Sequence, residues 1–153
     1  MPILTLPLEP DGAIVTVGFA VSGPRQDAMR KAKIEVPPVA VVRAIIDTGA
    51  SCTCVDLTVV NKLGLSPSGT VPILTPSTGK CTHVCNQFDV AVAVVMDADQ
   101  VHLSSLVIPV VGIDLSAQQG IQALIGRDVA GAGRGPSHRA ERGPCDDRTA
   151  DDF

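Results

Sequence analysis

The sequence has no tryptophan and no tyrosine, and its 153 residues include only three phenylalanines, Phe19, Phe88 and Phe153. Proteins that hold sugars or single-stranded nucleic acids stack these ligands on aromatic side chains, so such a surface has almost nothing from which to be built. Basic runs are also missing, and 12 lysines and arginines face 16 acidic residues. Because nucleic acids are bound mainly through phosphate contacts with basic side chains, we predict no nucleic acid among the partners.

Long hydrophobic runs are missing as well. The longest uninterrupted apolar run covers residues 90–96, far short of the roughly 20 residues that a membrane-spanning helix needs. The first residues, MPILTLPLEPDG, contain no basic segment, and Pro2 and Pro7 interrupt their apolar stretch, so they do not resemble a secretory signal. The sequence therefore predicts a protein without a membrane partner, located in the cytoplasm.

Cysteine occurs an odd number of times and forms no dense framework; the positions are Cys52, Cys54, Cys81, Cys85 and Cys145. In a chain without an export signal, such cysteines are expected to be reduced thiols rather than disulfides. The first four, together with His83, could bind zinc, but their Cys-x-Cys and Cys-x-His-x-Cys spacings differ from the usual Cys-x₂-Cys pattern. We therefore predict no metal and no cofactor, and zinc stays the less favoured alternative.

Valine, isoleucine and leucine are abundant, in short runs that glycine, proline, serine and aspartate interrupt. This rhythm is typical of a β protein. The predicted strands are 3–8, 13–21, 39–47, 71–74, 84–96, 101–111 and 123–125. Between them, the polar residues 25–33 predict a surface connection. Residues 57–65, which begin after Asp56 and include a stop signal at Gly64, predict a short helix or turn.

The chain is long enough for one hydrophobic core and too short for two, so residues 1–130 are predicted to form a single domain. The composition then changes abruptly, because residues 131–153 contain nine charged residues, four glycines and two prolines. Such a segment buries too little surface to offset the entropy that it would lose on ordering. We expect a disordered polar tail whose composition is foreign to the domain.

The most informative stretch, residues 44–51, reads AIIDTGAS: an apolar strand, then Asp47, then a Thr-Gly-Ala-Ser turn. A carboxylate at the end of a strand is held rigidly when a following glycine exposes backbone N–H groups to it. Two such carboxylates facing each other share one proton, so one can activate a water while the other donates to a carbonyl oxygen. This pattern favours peptide hydrolysis, although aspartate before glycine is also common in purely structural turns.

The stretch IIDTGAS, and the later string Leu124-Ile125-Gly126 followed by Arg127 and Asp128, resemble the retropepsins. These are the single-domain aspartic proteases of retroviruses and of their cellular and bacterial relatives. The resemblance implies a mainly β protein, a small closed β-barrel-like acid protease fold with one short C-terminal helix. It also implies a homodimer in which each subunit gives one catalytic aspartate, which agrees with the single Asp-Thr-Gly of this chain.

The resemblance assigns roles to the residues of the motif. It makes Asp47 the catalytic carboxylate, Thr48 the hydroxyl that braces the two aspartates across the two-fold axis, and Gly49 the backbone donor to the carboxylate. Ala50 and Ser51 would lie along the backbone of the substrate.

A hairpin that closes over the cleft in this family, the flap, corresponds to residues 74–83. Its tip, which would bind substrate, is Thr75, Pro76, Ser77, Thr78 and Gly79. Proline at the first corner and glycine at the end suit a tight reversal between two strands.

Gly126, Arg127 and Asp128 match the start of the C-terminal helix of the family, where they have a structural role and where the arginine pairs with acids near the active site. Two features depart from the family. Ser51 stands where the viral enzymes often carry an acid, and residues 131–153 lack the apolar strand that forms much of the dimer interface.

The resemblance thus predicts a dimeric aspartic endopeptidase that hydrolyses peptide bonds in peptide or protein substrates. The alternative is a non-catalytic module of the same fold, inactive because the dimer strand is missing, which binds an extended peptide by strand addition.

Overall fold

The computed structural model describes residues 8–9, 12–74, 82–97, 100–115 and 120–130, and this part of the chain is mainly β. Its strands are β1 (Leu8–Glu9), β2 (Gly12–Ala20), β3 (Ala40–Ile46), β4 (Cys54–Asp56), β5 (Gly69–Ile73), β6 (His83–Asp97), β7 (Gln100–Ile113) and β8 (Ala123–Ile125). Its helices are α1 (Gly23–Lys31), α2 (Leu57–Lys62) and α3 (Arg127–Ala130). The predicted β class is confirmed.

Strands β2 to β8 form one mixed sheet in the order β2-β3-β8-β4-β7-β6-β5, and the short β1 pairs with β2 at its edge. The ladders β3–β8 and β4–β7 are parallel, whereas the other pairings are antiparallel. Strand β2 also pairs with β6 through residues 17–20. The central part of β2 therefore hydrogen-bonds to β3 on one side and to β6 on the other.

The core is built mainly from valine side chains of the sheet, with one face of α2 against them. Valine suits this position because its branched side chain packs well on a pleated surface. Two phenylalanines contribute the largest side chains, Phe19 and Phe88, and both are buried. A Cβ at Gly112 would lie 2.6 Å from the Phe88 ring. Glycine on β7 is thus what allows the ring to pack directly on the backbone.

The parallel ladder of β3 and β8 brings together two segments that are far apart in the sequence. Ile45 pairs with Leu124, and Ile46 pairs with Ile125. Strand β4 pairs with the other side of β8, antiparallel to it. Asp47, which follows β3, and Gly126, which follows β8, therefore lie side by side at the C-terminal ends of these two parallel strands.

Most of the predicted strands agree with the structure to within two residues, and the strand 123–125 has the predicted bounds. Residues 57–65 contain α2, as predicted, with Asp56 as its N-cap. Strand β4 was not predicted, because three residues directly after a turn are too few to form a recognisable alternation. The short C-terminal helix that the resemblance implied is α3, and the described residues contain α1 in addition to the predicted α2.

Helix α1 replaces the surface connection predicted for residues 25–33. The segment is exposed, as expected, and none of its helical residues is buried. Pro24 in the first turn and Arg30 and Lys31 in the last turn are placed where helices favour them. Sequence analysis missed the helix because a helix that buries no face has no hydrophobic periodicity.

Several predictions fall outside the described residues: the strand predicted for residues 3–8 apart from Leu8, the flap residues 75–79 and the tail 131–153. The longest helix in the described part of the chain has nine residues, so none of the helices there could cross a membrane.

Candidate active site

Asp47 is the first residue after β3, and the sheet holds its backbone. Its N–H donates a hydrogen bond of 2.9 Å to the carbonyl oxygen of Ile125, which continues the ladder between β3 and β8 by one residue. The residue is partly buried. The backbone of Asp47 is therefore as well fixed as that of a strand residue, whereas its side chain lies at the end of the sheet.

The turn that follows Asp47 binds its carboxylate. The Oδ1 atom accepts hydrogen bonds from the N–H groups of Gly49 at 2.8 Å and of Ala50 at 3.3 Å. The Ala50 N–H is also 3.2 Å from the Asp47 carbonyl oxygen. Within the described residues, Oδ2 accepts no hydrogen bond. One oxygen thus anchors the carboxylate, and the other is available to a water or to another acid.

Gly49 allows the carboxylate to approach the backbone closely. A Cβ at this position would lie 3.1 Å from Oδ1 of Asp47, which is a shorter distance than in nine of ten Cβ contacts in proteins. Its neighbours in the motif, Thr48 and Ser51, are exposed, and Ala50 is partly buried. The structure therefore places all five residues of the motif on one accessible turn.

The segment after β8 packs against this turn backbone to backbone. Arg127 N–H donates to the carbonyl oxygen of Ala50 at 3.1 Å, and Gly126 N–H donates to Oγ1 of Thr53 at 3.1 Å. A Cβ on Gly126 would lie 2.5 Å from both the carbonyl carbon and the carbonyl oxygen of Cys52. Only glycine fits at position 126, because backbone atoms cannot move aside as the end of a side chain can.

Asp128 and Thr53 form the tightest polar contact between the two segments. Asp128 Oδ2 accepts from the Thr53 N–H at 2.9 Å, and Asp128 Oδ1 accepts from the Thr53 hydroxyl at 2.8 Å. Thr53 is fully buried, with 0% of its surface exposed. Sequence reasoning missed Thr53; the available signal was a polar residue between the turn and the apolar Val55. The pair ties the chain after the Asp47 turn to α3.

Arg127 contacts the Asp47 turn through its backbone N–H, and its side chain is exposed. Within the described residues, its guanidinium makes no hydrogen bond and no ion pair. The family resemblance pairs this arginine with acids near the active site, but Ser51 cannot provide a carboxylate.

The cysteines near the site are free thiols, Cys54 buried and Cys52 and Cys85 partly buried. Burial raises the pKa of Cys54 from 9.0 to about 12, and the nearby Cys52, Asp128 and Cys85 add to the increase. No group of three or more His, Cys, Asp or Glu residues in the described part of the chain could hold a metal ion. Cys81, which the zinc alternative also used, lies outside that part.

A cleft of about 560 Å³ lies elsewhere, beside the N-terminus of α2, and Asp47 does not line it. It is bordered by Asp56, whose Oδ1 accepts from the Thr58 N–H at 2.8 Å and whose Oδ2 accepts from the Leu115 N–H at 2.8 Å. Both oxygens of Asp56 are therefore engaged in capping α2 and holding the end of β7. Asp47, in contrast, stands on an open surface with one oxygen unengaged.

The geometry around Asp47 is that of an anchored, half-exposed carboxylate on a turn that a second chain segment supports. The chain matches no protein-family model and no curated protein sequence. Its likeness to a family therefore rests on the residues themselves.

Proposed function

We propose that this chain is an aspartic endopeptidase of the retropepsin type that acts as a homodimer, each copy supplying one Asp47. The observation that carries the proposal is the state of the Asp47 carboxylate. Its Oδ1 is anchored by the N–H groups of Gly49 and Ala50, and its Oδ2 accepts no hydrogen bond within the described residues. A carboxylate held through one oxygen keeps its other oxygen available to a water or a proton.

The reaction requires two carboxylates because a single one cannot act as base and acid at the same time. This chain has one Asp-Thr-Gly motif, so a second copy must provide the other acid. Two carboxylates held a few ångströms apart share one proton, since two adjacent negative charges repel each other. The unengaged oxygen of each Asp47 is the one that would face the shared proton and the water.

In the proposed reaction, the ionised Asp47 of one copy takes a proton from a water, which attacks the carbonyl carbon of the peptide bond. The protonated Asp47 of the other copy donates its proton to the carbonyl oxygen. The first Asp47 then gives its proton to the peptide nitrogen, the second takes a proton back from a hydroxyl of the tetrahedral intermediate, and the C–N bond breaks to leave an acid and an amine. The hydrogen bonds from the Gly49 and Ala50 N–H groups keep the carboxylate oriented throughout.

The surroundings of Asp47 support a site that is completed by a second copy. The carboxylate lies on an open surface rather than in the cleft beside α2, as expected of half of a symmetric site. The exposed Thr48 is available to brace the partner. The pairing of β2 with both β3 and β6 is consistent with the small closed β fold of the family.

We assign substrate contacts to the turn after Asp47 and to the flap. Ala50 and Ser51 follow the catalytic residue at the surface, where an extended peptide would pair with their backbone. The flap residues 75–79, between β5 and β6, would cover the peptide from the other side. Strand β5, which precedes them in the chain, lies at the edge of the sheet among the described strands.

The test is the variant Asp47→Asn, assayed with casein and with a library of unstructured peptides. Asparagine keeps an oxygen for the Gly49 and Ala50 N–H groups but can neither share a proton nor activate water. We expect cleavage to fall by at least about a thousandfold, in line with removal of a general base and nucleophile-activating group, while the thermal unfolding midpoint stays near that of the wild type.

The matched control is Asp89→Asn, which removes an exposed carboxylate on β6 and should leave cleavage unchanged. Cleavage by Asp47→Asn at the wild-type rate would overturn the proposal. Peptide binding without cleavage in the wild-type protein would overturn it in favour of the non-catalytic peptide-binding module.

A further inference from the structure

Two free thiols flank Thr53 directly after the Asp47 turn. Cys52 precedes Thr53 and Cys54 follows it, and the Cys52 side chain is among the neighbours that raise the pKa of Cys54. Cys54 is 8% exposed, whereas Cys52 is partly buried. The pair is therefore reachable from solvent through Cys52, and only Thr53 separates its two residues in the chain.

We propose that Cys52 and Cys54 are a site of reversible oxidation, at which a hydroperoxide converts the two thiols into a disulfide. The formation of this bond does not depend on the proposed peptidase activity. Its effect on cleavage does rest on that proposed function.

The geometry selects this pairing over the alternatives in the described residues. Residues two positions apart in the chain have Cα atoms separated by at most about 7 Å, and disulfides need about 4.4 to 6.8 Å. Cys85 lies on β6, and β7 separates β6 from β4. Two strand spacings amount to about 9.6 Å, which is too far for a Cys54–Cys85 disulfide without movement of the backbone.

The exposure of each thiol sets the order of the steps. The more exposed Cys52 attacks the peroxide as a thiolate: an S–O bond forms, the O–O bond breaks, and the hydroperoxide leaves as an alcohol, or as water when it is hydrogen peroxide. The Cys54 sulfur, having lost its proton to solvent, then attacks the Cys52 sulfur. The S–S bond forms, the S–O bond breaks, and hydroxide leaves and takes up a proton as water. Two thiols have then lost two electrons and two protons to one peroxide.

The first step belongs to Cys52 because thiolates, not thiols, react with peroxides. Burial, together with the Cys52 thiol, Asp128 and Cys85, keeps the pKa of Cys54 at about 12. Cys54 is thereby protected from direct oxidation and serves as the resolving thiol. The second step is expected to accelerate as the pH rises, because the fraction of Cys54 thiolate increases.

The disulfide would act on the site through Thr53, which lies between the two sulfurs. The N–H and the hydroxyl of Thr53 donate to the two carboxylate oxygens of Asp128, and the hydroxyl accepts from the Gly126 N–H. A ring closed across Cys-Thr-Cys draws the Cα atoms of Cys52 and Cys54 together and turns the Thr53 backbone, so these hydrogen bonds weaken. The Cys52 carbonyl group also packs on Gly126, so the supporting segment shifts with it. Oxidation should therefore lower cleavage reversibly.

The test is oxidation of the wild-type protein with hydrogen peroxide, followed by alkylation of remaining thiols, tryptic digestion and mass spectrometry. Trypsin cuts after Arg43 and Lys62, so the peptide 44–62 contains Cys52 and Cys54 and no other cysteine. Cys81 and Cys85 fall together in the peptide 81–127. We expect peptide 44–62 to lose two hydrogen atoms, to escape alkylation and to regain both thiols with a reductant.

The variants separate the two thiols. In Cys54→Ser, Cys52 should stop at the sulfenic acid, which dimedone traps; in Cys52→Ser, peptide 44–62 should resist oxidation. The control Cys85→Ser should behave as the wild type. A cross-link between peptides 44–62 and 81–127, or alkylation of both thiols of peptide 44–62 after peroxide treatment, would overturn the proposal.

Asp47→Asn distinguishes this proposal from that of the function. The variant should form the disulfide like the wild type although it does not cleave peptides. If the wild type cleaves peptides and forms the disulfide but its cleavage rate is unchanged, the claimed effect on the site is wrong.

Discussion

At the scale of single residues, the support of the candidate site depends on one buried threonine. Thr53 is inaccessible to solvent, and all of its hydrogen-bonding groups are used. Its hydroxyl donates to Asp128 and accepts from Gly126, and its carbonyl oxygen accepts from Val111. A buried polar group without a partner costs more free energy than a typical hydrogen bond contributes. Loss of the Thr53 hydroxyl should therefore weaken the contact between the segment after the Asp47 turn and the segment that begins at Gly126.

We predict that Thr53→Val lowers the free energy of unfolding by about 1 to 3 kcal/mol, because valine has nearly the same shape but leaves the Gly126 N–H without its acceptor. Urea unfolding monitored by circular dichroism measures the change. The control Ser51→Ala removes an exposed hydroxyl and should stay within about 0.5 kcal/mol of the wild type. Equal stability of the two variants would contradict the role given to Thr53.

A second residue-scale prediction concerns Cys54 at alkaline pH. Its pKa is raised from 9.0 to about 12, first by burial and then by Cys52, Asp128 and Cys85. Below pH 9.0 both the native and the unfolded chain keep this proton. Between pH 9.0 and about 12 the unfolded chain loses it first, so the free energy of unfolding should fall with rising pH, by at most about 1.4 kcal/mol per pH unit.

The measurement is urea unfolding at pH 8, 9, 10 and 11 in the presence of a reductant. Cys54→Ser has no group that titrates at this position, so its stability should decline less steeply than that of the wild type. Cys85→Ser keeps the buried thiol and should follow the wild-type slope. Identical slopes for the wild type and Cys54→Ser would refute the prediction.

At the scale of secondary structure elements, Asp56 connects α2 to the end of β7. It caps α2 through Thr58 and accepts from the Leu115 N–H. Burial raises the pKa of Asp56, but the hydrogen bonds from Thr58 and Leu115 outweigh burial, and the pKa is lowered below its ordinary value of 3.8. Because the native pKa is depressed, the stabilisation is present above pH 3.8 and is lost as the pH falls through the native pKa.

We predict that Asp56→Asn destabilises the protein by about 1 to 2 kcal/mol at pH 7, because the amide replaces a charged acceptor with a neutral group. The difference from the wild type should shrink as the pH falls below 3.8, through the lowered pKa of the native carboxylate. Urea unfolding across this pH range measures it, with the exposed Asp89→Asn as the control. A difference that stays constant with pH would argue against a role for the charge.

The local sequence predicts some of these strands and helices and not others. Strands such as β6 and β7 are long segments rich in valine and other apolar residues, so their existence follows from local pattern. Helix α1 buries no residue and therefore leaves no pattern to detect. Strand β4 has three residues, and pairing with β7 and β8 rather than its own propensity makes it a strand.

At the scale of the whole molecule, the proposed active site is shared by two copies of the chain. A single carboxylate per chain makes each monomer inactive on its own, and activity should depend on association. Cleavage per chain is therefore expected to rise with protein concentration and to level off once dimers dominate. Analytical ultracentrifugation over the same concentrations should give a matching transition from monomer to dimer.

Mixing wild-type protein with Asp47→Asn tests the shared site directly. If each dimer needs two intact aspartates, an equimolar mixture that has exchanged subunits contains only about a quarter of fully intact dimers. The activity per wild-type chain should therefore fall to about half of its unmixed value, at constant total protein. Mixing with the active Asp89→Asn should leave the total activity at constant total protein unchanged, whereas mixing with Asp47→Asn should lower it to about a quarter. If Asp47→Asn leaves the activity per wild-type chain unchanged, one chain alone carries the reaction.

Several features of this protein follow from contacts between neighbouring residues alone. The alternation and branching of the side chains specify a β protein, and the run from Ile45 to Gly49 specifies a strand that ends in an anchored carboxylate. These features are local because strand propensity, turn geometry and the hydrogen bond from Gly49 to Asp47 involve residues close together in the chain.

The surroundings of Asp47, in contrast, arise from contacts between distant parts of the chain. The parallel pairing of β3 with β8 brings Gly126 and Asp128 to the turn, and Thr53 and Cys52 meet them there. These partners lie more than seventy positions apart along the chain, and their contacts arise from the sheet order, which is selected by burial of the whole core rather than by any local pattern.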